Sequence, residues 1–397
     1  MVNTKTINVQ KILIFVFLVV FPFGQLLRTD LLLGDFHLVL HPIDIVVGVL
    51  SFFYLVKRVL TKRPIWGYAT GFISALIFSY LFSLSIFNGR GFSEGLFYLL
   101  RIIAYLIFPF VIGESIGNSL RTKEIYYKAL ILISVFIGLF GWVQYILYPD
   151  VRPLLYLGWD DHLYRIVGTF LDPGFTGLLL VLGINLSLVM FFKKTKAYWF
   201  LIILFLLSSL LFTYSRAGYI SILGSIVIYF WAENKKKLLL PVFILFFIFI
   251  LLLPRPSSSG VQLERIYSVI LRIKNYQETV RIWTRWPIFG VGYNNMCQAR
   301  IVYLGEENAL SHSCSGSDSS LLLLLTTTGF VGLMIFIKMI KSMIKNVAKD
   351  IYGTSFIICL VSILIHSLFV NSLFYPWVMG YLGILYSLAV SISNSEG

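Results

Sequence analysis

The run GFTGLLLVLGINLSLVMFF occupies residues 174–192 and contains no charged residue. A helix needs about 20 apolar residues to cross the hydrocarbon layer of a bilayer, where only helices and closed barrels satisfy the backbone. The apolar positions are continuous and do not alternate with polar ones, which favours a helix over a barrel strand. The run therefore predicts a membrane-spanning helix, and similar runs recur along the whole chain.

The composition agrees with this interpretation. The 397 residues are 58% hydrophobic and only 13% charged, which excludes an ordinary soluble protein. The predicted fold class is an all-α, polytopic integral membrane protein with about twelve transmembrane helices. The candidate spans are residues 12–27, 38–56, 66–87, 97–115, 127–148, 174–192, 197–213, 217–232, 238–254, 320–342, 354–371 and 373–392.

The short breaks between spans carry an asymmetric set of charges. Breaks after even-numbered spans are rich in lysine, as in Lys193, Lys194 and Lys196. Because loops rich in lysine and arginine stay in the cytoplasm, these breaks and both termini are expected inside. The net charge of +14 is largely this topology signal, so it gives no reason to expect nucleic acid as a partner.

A long polar interval divides the chain into three parts. Residues 1–254 are expected to hold spans one to nine with short loops, and residues 320–397 are expected to hold spans ten to twelve. Residues 255–319 then form one large outer loop that contains helices. By the charge asymmetry of the other loops, this interval lies on the extracytoplasmic side.

Arginine dominates the side that is predicted to face outward. The arginines assigned there are Arg28, Arg90, Arg152, Arg165, Arg216, Arg255, Arg265, Arg272, Arg281, Arg285 and Arg300, and the only lysine is Lys274. A guanidinium binds phosphate oxygens in bidentate fashion, whereas lysine acts as a point charge. The bias indicates an anionic ligand outside. The alternative is that positive-inside selection removes lysine from outer loops.

Arg216 lies in the turn Thr213-Tyr-Ser-Arg-Ala-Gly218, at the outward N-terminus of the eighth span. Ser215 is a candidate N-cap, and the free N–H groups and dipole of a helix N-terminus attract anions. Arg216 adds a full positive charge at the same place. The alternative is an interfacial arginine that reaches toward lipid headgroups.

The polar interval contains a helix predicted over residues 261–286, which ends before Pro287. Its apolar positions keep helical spacing, which suits a helix on the membrane interface. One polar face is expected to pair its own charges; it carries Lys274, Glu278, Arg281 and Arg285. The other face carries Arg265 and Arg272 without a nearby acid, and Arg272 is the stronger candidate to bind an anion.

The segment that precedes the tenth span contains two candidates for a catalytic base. A neutral histidine near arginines, such as His312, can accept the proton of a hydroxyl group. A lone loop histidine is nevertheless more often incidental. Asp318 follows six residues later and is the other candidate.

The outer loop 149–173 holds Asp160, Asp161 and His162 beside Trp159, an aromatic ring that can stack on a sugar. Adjacent residues rarely converge on one ion, so no metal and no other cofactor is predicted.

Two further features stay open at this level. Within the membrane, Arg101 and Asp44 either pair structurally or mark a functional site. Cys297 and Cys314 share the outer loop and could form a disulfide in an oxidising compartment.

Several motifs in this order resemble the O-antigen ligase and O-antigen polymerase superfamily. They are Arg165-Ile-Val-Gly-Thr-Phe170, Ser215-Arg-Ala-Gly218, Arg272 fifteen positions before Pro287-Ile-Phe-Gly-Val-Gly292, and the segment before Gly329-Phe-Val-Gly-Leu333. The resemblance covers most of the chain from Arg165 to about Phe336, together with the plan of twelve spans and one large outer loop.

The resemblance implies a GT-C-like membrane glycosyltransferase that is metal-independent and inverting. Its donor would be an undecaprenyl-diphosphate-linked glycan, its acceptor a glycan or a lipid core, and its surroundings the lipids of the bacterial cytoplasmic membrane, with the active site facing the periplasm. The implied catalytic residues are Arg216, Arg272 and His312. Further candidates for substrate binding are Arg165, Arg265, Asp318 and Arg101.

One departure from the family pattern concerns the base. Family members commonly place the histidine closer to the following Gly-x-x-Gly element than His312 stands from Gly329, and Asp318 occupies that nearer position. Either residue could therefore be the base. Two alternative functions are a transporter or flippase of lipid-linked oligosaccharide and a metal-dependent membrane glycosyltransferase. Transporters commonly place their sites near the midplane, between repeats, and this chain has no clear repeat.

Overall fold

A computed structural model describes residues 4–33, 36–62, 67–87, 92–117, 119–256, 258–305 and 316–390. This part of the chain is a bundle of helices with one short β hairpin. The helices are α1 Thr4–Val20, α2 Pro42–Leu60, α3 Thr70–Phe87, α4 Phe92–Ile116, α5 Leu120–Leu147, α6 Pro173–Lys194, α7 Ala197–Leu211, α8 Arg216–Ala232, α9 Leu239–Leu251, α10 Tyr267–Trp283, α11 Met296–Leu304, α12 Ser320–Lys345, α13 Ile351–His366 and α14 Pro376–Ala389. Short 3-10 segments lie at Phe21–Leu27, Arg152–Leu157, Gly168–Phe170, Lys236–Leu238 and Ser259–Val261.

Within the described ranges, six helical stretches are long and apolar enough to cross a membrane. They are Val9–Leu27, Thr70–Phe87, Gly95–Ile116, Leu120–Leu147, Pro173–Lys194 and Ser320–Lys345. Helices α7, α8, α13 and α14 are apolar but shorter. Each of the twelve predicted spans overlaps a helix of the structure. The polytopic membrane character agrees with the expectation, and the count of twelve stays a prediction.

In the described part of the chain, a short hairpin departs from the expected all-α fold. Strands β1 (Thr29–Leu33) and β2 (Phe36–Leu40) pair antiparallel, with Thr29 opposite Leu40. The predicted second span began at residue 38, inside β2, and this start was wrong. Pro42 stands in the first turn of α2 and sets its beginning, because proline fits the first helical position and lacks the N–H that a strand needs.

Helix α6 forms the centre of the bundle. It packs against α5, α7, α8 and α13, and 15 of its 22 residues are buried. Asn185 in its middle donates to Ser362 of α13 at 2.8 Å and accepts from Ser225 of α8 at 2.9 Å. Hydrogen bonds of this kind hold helices together where lipid gives no hydrophobic driving force. They fix the starting points of α6 and α8 relative to each other.

The glycine motif Pro287–Gly292 packs into a break within α12 at Gly329. The N–H of Phe330 donates to the carbonyl of Pro287 at 2.9 Å. Gly329 has φ 69° and ψ −174°, a conformation open essentially to glycine alone, and a Cβ there would lie 2.1 Å from the Ile288 carbonyl oxygen. Two motifs that are distant in sequence therefore contact each other and fix the end of α10 against α12.

The polar interval differs in detail from its prediction. Helix α10 begins at Tyr267, so Arg265 lies just before the helix and not on its face. Glu278 lies 3.9 Å from Lys274 but 2.9 Å from the buried Arg300, which belongs to α11. The expected pair of Lys274 and Glu278 is therefore present, and Glu278 has a second, closer partner in Arg300 because α11 packs against α10.

Candidate active site

A cavity of about 290 Å³ lies at the end of the bundle where three helices begin. Its lining comprises Asp160, His162, Arg165, Asp172, Pro173, Gly174, Ser215, Arg216, Ala217, Arg265, Ser268, Arg272, Asp318, Phe369, Val370 and Asn371. Helices α6 and α8 start in this lining, and Asp318 stands two residues before α12. Each helix N-terminus carries unpaired N–H groups and a partial positive charge. Three such ends around one cavity favour a negatively charged ligand.

Side-chain caps fix these helix starts. Ser215 accepts a hydrogen bond from the N–H of Gly218 at 3.2 Å, so the predicted N-cap of α8 is confirmed. Asp172 caps α6 through the N–H of Phe175 at 2.8 Å. In α8 the cap satisfies one orphan donor and leaves the N–H groups of Arg216 and Ala217 for a ligand, whereas α6 begins with Pro173, which has no N–H.

Arg216 reaches from the first turn of α8 to the segment that leads into α10. Its guanidinium donates to the carbonyls of Leu263 and Arg265, each at 3.2 Å, and to the hydroxyl of Ser268 at 2.7 Å. These three hydrogen bonds leave two of the five guanidinium N–H donors without a partner in the described part of the chain. The side chain is held in place and keeps donors for an anion.

Arg272 lies in α10, one helical turn after Ser268, and lines the same cavity. Within the described ranges, its guanidinium has no hydrogen bond and no ion pair closer than 4 Å. A partly buried arginine without a counter-ion is costly unless a ligand supplies one. Arg272 therefore has its full set of donors available for an anionic ligand.

Arg265 reports the positive field in this cavity. Burial, together with the neighbouring charges of Arg216 and Arg272, lowers its pKa to about 10. An opposite charge would reverse this effect. The three guanidinium groups are thus close enough to repel one another, and a bound dianion would relieve that repulsion.

Arg165, a predicted substrate-binding residue, lines the same cavity and also stabilises the scaffold. It is buried, and its guanidinium donates to the carbonyls of Thr213 at 2.9 Å and Tyr214 at 3.4 Å. Burial, together with the charge of Arg265, lowers its pKa to about 9. Arg165 fastens the 149–173 loop to the turn that carries Arg216.

Asp318 is the candidate base that lies within the described residues. Its N–H donates to Asn275 at 2.9 Å, which fixes the segment beside α10. Burial raises the pKa of its carboxyl group, while the charges of Arg272 and Arg300 oppose that rise. Its carboxylate shares the cavity with Arg216 and Arg272. The other candidate base, His312, lies outside the described residues.

Arg101 does not lie in this cavity, although the sequence included it among the candidates for substrate binding. Its guanidinium is 3.1 Å from the carboxylate of Asp44, which also contacts His41 at 3.1 Å and Tyr105 at 3.0 Å. The structural ion pair, one of the two alternatives, accounts for this position. Among the cysteines, Cys297 is disulfide-bonded and Cys359 is free and buried, while Cys314 lies outside the described residues.

Sequence reasoning missed one cluster in the lining. A ring nitrogen of His162 and carboxylate oxygens of Asp160 and Asp172 all lie within 4.8 Å of one another. The expectation that neighbours in the 149–173 loop diverge was wrong for Asp160 and His162, because the loop folds back and adds Asp172. This spacing also suits a metal ion, so the protonation of the His162 ring nitrogens decides whether the cluster can bind a metal or a neutral ligand.

Comparison with known families bears on the part of the chain that holds Arg216 and Arg272. Residues 200–337 match the family described as O-antigen ligase. That stretch runs from α7 to the middle of α12 and includes the polar interval. No curated protein matches the chain.

Proposed function

We propose that this chain is a membrane glycosyltransferase that moves a glycan from undecaprenyl diphosphate to a hydroxyl acceptor, a proposal that the match of residues 200–337 to the O-antigen ligase family supports. The acceptor is a second glycan in a polymerase or a lipid core in a ligase. The site faces the periplasm, on the side where the outer arginines gather. We further propose a reaction that needs no metal and inverts the anomeric carbon.

One observation carries the proposal. Arg216, Arg265 and Arg272 share a cavity with the N-termini of α6 and α8 and the approach to α12. A diphosphate is dianionic or more highly charged, offers oxygens to bidentate arginines, and binds at helix N-termini. The cavity volume of about 290 Å³ lies near the lower end for ligand pockets, roughly 300–1,000 Å³. It suits the head group, with the polyprenyl tail outside it.

The chemistry follows from this placement. The bond between the anomeric carbon and the diphosphate oxygen breaks, and undecaprenyl diphosphate leaves with the electron pair. The acceptor oxygen attacks from the opposite face, forms the new glycosidic bond and inverts the carbon. Arg216 and Arg272 stabilise the negative charge that grows on the leaving oxygen, a preorganised electrostatic effect. Asp318 or His312 accepts the proton of the attacking hydroxyl.

The test is a transfer reaction with purified protein in lipid nanodiscs. The donor is a synthetic undecaprenyl-diphosphate oligosaccharide, supplied with and without a lipid-core acceptor, and products are weighed by mass spectrometry. Masses that rise by whole donor glycans without added acceptor indicate a polymerase. A single addition to the lipid core indicates a ligase. Absence of any new glycosidic bond, together with movement of the donor across proteoliposomes, would replace the proposal by transport.

Metal independence is tested in the same reaction. The initial rate in excess chelator is expected to equal the rate in its absence. Loss of transfer in chelator, with recovery on adding a divalent cation, would contradict this part of the proposal.

A further inference from the structure

The wall of the cavity formed by the 149–173 loop has a chemistry different from that of the wall formed by α8 and α10. Asp160, His162 and Asp172 bring two carboxylates and an imidazole within 4.8 Å of one another. Carboxylates repel phosphate oxygens, so a diphosphate is confined to the wall that carries Arg216 and Arg272. The acidic wall must therefore face a different part of any ligand in the same cavity.

The imidazole of His162 is fixed in one protonation state. Burial, together with the charges of Arg165 and Arg265, lowers its pKa to about 3, so the ring is neutral at physiological pH. Its Nδ1 lies 3.4 Å from a guanidinium nitrogen of Arg165. A guanidinium can only donate, so Nδ1 accepts and the single ring proton resides on Nε2.

The N–H group at Nε2 of His162 is a buried hydrogen-bond donor without a described acceptor. The residue is only 8% exposed, and within the described ranges Nε2 makes no hydrogen bond. A buried N–H without a partner costs roughly 1–3 kcal/mol. A ligand that accepts from Nε2 would recover that cost.

The fixed tautomer argues against a metal ion. A metal needs an imidazole lone pair, and the only one on His162 faces Arg165. The positive charges of Arg165 and Arg265 would also repel a cation. What remains is one neutral donor between two carboxylate acceptors, which suits a neutral group rich in hydroxyls, since each hydroxyl both donates and accepts.

We propose that Asp160, His162 and Asp172 form a subsite that holds the hydroxyl groups of the first sugar on the lipid diphosphate. This inference rests on the proposed function and deepens it. The carboxylates accept from sugar hydroxyls, and Nε2 of His162 donates to a sugar oxygen. The diphosphate lies on the arginine wall, and the first sugar, a hexose or N-acetylhexosamine, lies on the acidic wall.

The test compares two classes of lipid on the purified full chain in nanodiscs. One is bare undecaprenyl diphosphate, and the other is a panel that carries one glucose, galactose, N-acetylglucosamine or N-acetylgalactosamine. We expect the wild-type protein to bind at least one sugar-bearing lipid about tenfold more tightly than the bare lipid, which corresponds to about 1.4 kcal/mol. Asp160→Asn, Asp172→Asn and His162→Leu should each erase this preference, and none of them should weaken the binding of the bare lipid, because the carboxylates repel its diphosphate.

The variants are chosen to separate recognition from folding. Asn at position 172 can still cap α6, because Asn is as good an N-cap as Asp. Asp160 is exposed, so its substitution spares the core. His162→Gln places an amide donor near the position of Nε2 and should retain the preference that His162→Leu loses. The matched control is Asp161→Asn, an exposed neighbour outside the cavity lining, which should bind as the wild type does.

Each other outcome overturns the inference. A wild-type protein that binds all lipids equally, or variants that keep the preference, would exclude a sugar subsite. Stoichiometric binding of Mn²⁺ or Zn²⁺ alone, lost in His162→Leu and His162→Gln, would assign the cluster to a metal. Failure of the proposed function gives a different result, namely that bare undecaprenyl diphosphate does not bind or binds equally well to Arg272→Ala.

Discussion

The guanidinium of Arg216 donates to the hydroxyl of Ser268 across 2.7 Å, and so ties the first residue of α8 to the second residue of α10. The same side chain donates to two backbone carbonyls of the segment before α10. Arg272 has no such tie to any residue in the described ranges. Arg216 therefore stabilises the fold and is also available to bind a ligand, whereas Arg272 is available for the ligand alone.

Arg272→Ala is expected to lower the transfer rate by about 10²–10³-fold, the usual loss when one preorganised donor to a developing charge is removed. Because the side chain makes no described hydrogen bond and its charge repels Arg216 and Arg265, the unfolding temperature in detergent should not fall and should rise slightly if it changes. Arg272→Lys keeps the positive charge but loses the planar, bidentate guanidinium group. Its transfer rate should therefore lie between those of the wild type and Arg272→Ala. The matched control is Arg281→Ala, an exposed arginine of the same helix outside the cavity, which should transfer normally. Equal rates for Arg272→Ala and Arg281→Ala would remove Arg272 from the site.

Arg216→Ala should lose activity to a similar extent and also lower the unfolding temperature. The difference arises because its removal leaves the carbonyls of Leu263 and Arg265 and the Ser268 hydroxyl without this donor. Differential scanning calorimetry of Arg216→Ala and Arg272→Ala measures this difference in unfolding temperature directly. If the two variants unfolded at the same temperature, the tie between α8 and α10 would contribute nothing to stability.

The sequence could predict the arginine wall but not the acidic wall, for a physical reason. Helix periodicity and the turn at residues 213–218 identify a helix start with an arginine, and this information is local. Asp160, His162 and Asp172 meet because the 149–173 loop is closed by backbone hydrogen bonds and is fastened by Arg165 to backbone carbonyls of that turn. Backbone acceptors of a distant turn leave no residue signature in a single sequence.

The hairpin and the Glu278–Arg300 pair illustrate two other limits. Gly34 and Asp35 separate two short apolar runs, a composition typical of a hairpin turn, yet the apolar run from residue 38 onward also suits a helix. The local sequence therefore suits both a strand and a helix, and Pro42 determines where the helix begins. Arg300 reaches Glu278 because α11 folds back along α10, which helical spacing alone does not reveal.

The pH dependence of transfer distinguishes the two candidate bases. Burial raises the pKa of Asp318 above the ordinary value of about 3.9, with Arg272 and Arg300 limiting the rise and Asp160 adding to it. A base must be deprotonated, so the rate should be constant above this raised pKa and fall as pH drops through it. Asp318→Asn should abolish transfer at every pH. Full activity in Asp318→Asn, with an acid limb near 6.5, would assign the base to His312.

Gly329→Ala tests the contact between the two glycine motifs. The added Cβ would meet the Ile288 carbonyl oxygen at 2.1 Å, in a backbone conformation that costs a non-glycine residue about 1–3 kcal/mol. Relief requires α12 to move away from residues 287–292, which end the segment that carries Arg272. We therefore expect both a lower unfolding temperature and a lower transfer rate.

Gly113→Ala is the matched control for this experiment. It lies within α4, where an added Cβ has no heavy atom within 4 Å, and alanine is favoured over glycine in a helix by about 1 kcal/mol. Its unfolding temperature should stay the same or rise, with transfer unchanged. Wild-type stability and rate in Gly329→Ala would mean that the break in α12 does not position α10, and the geometric link between the glycine motifs and Arg272 would have to be abandoned.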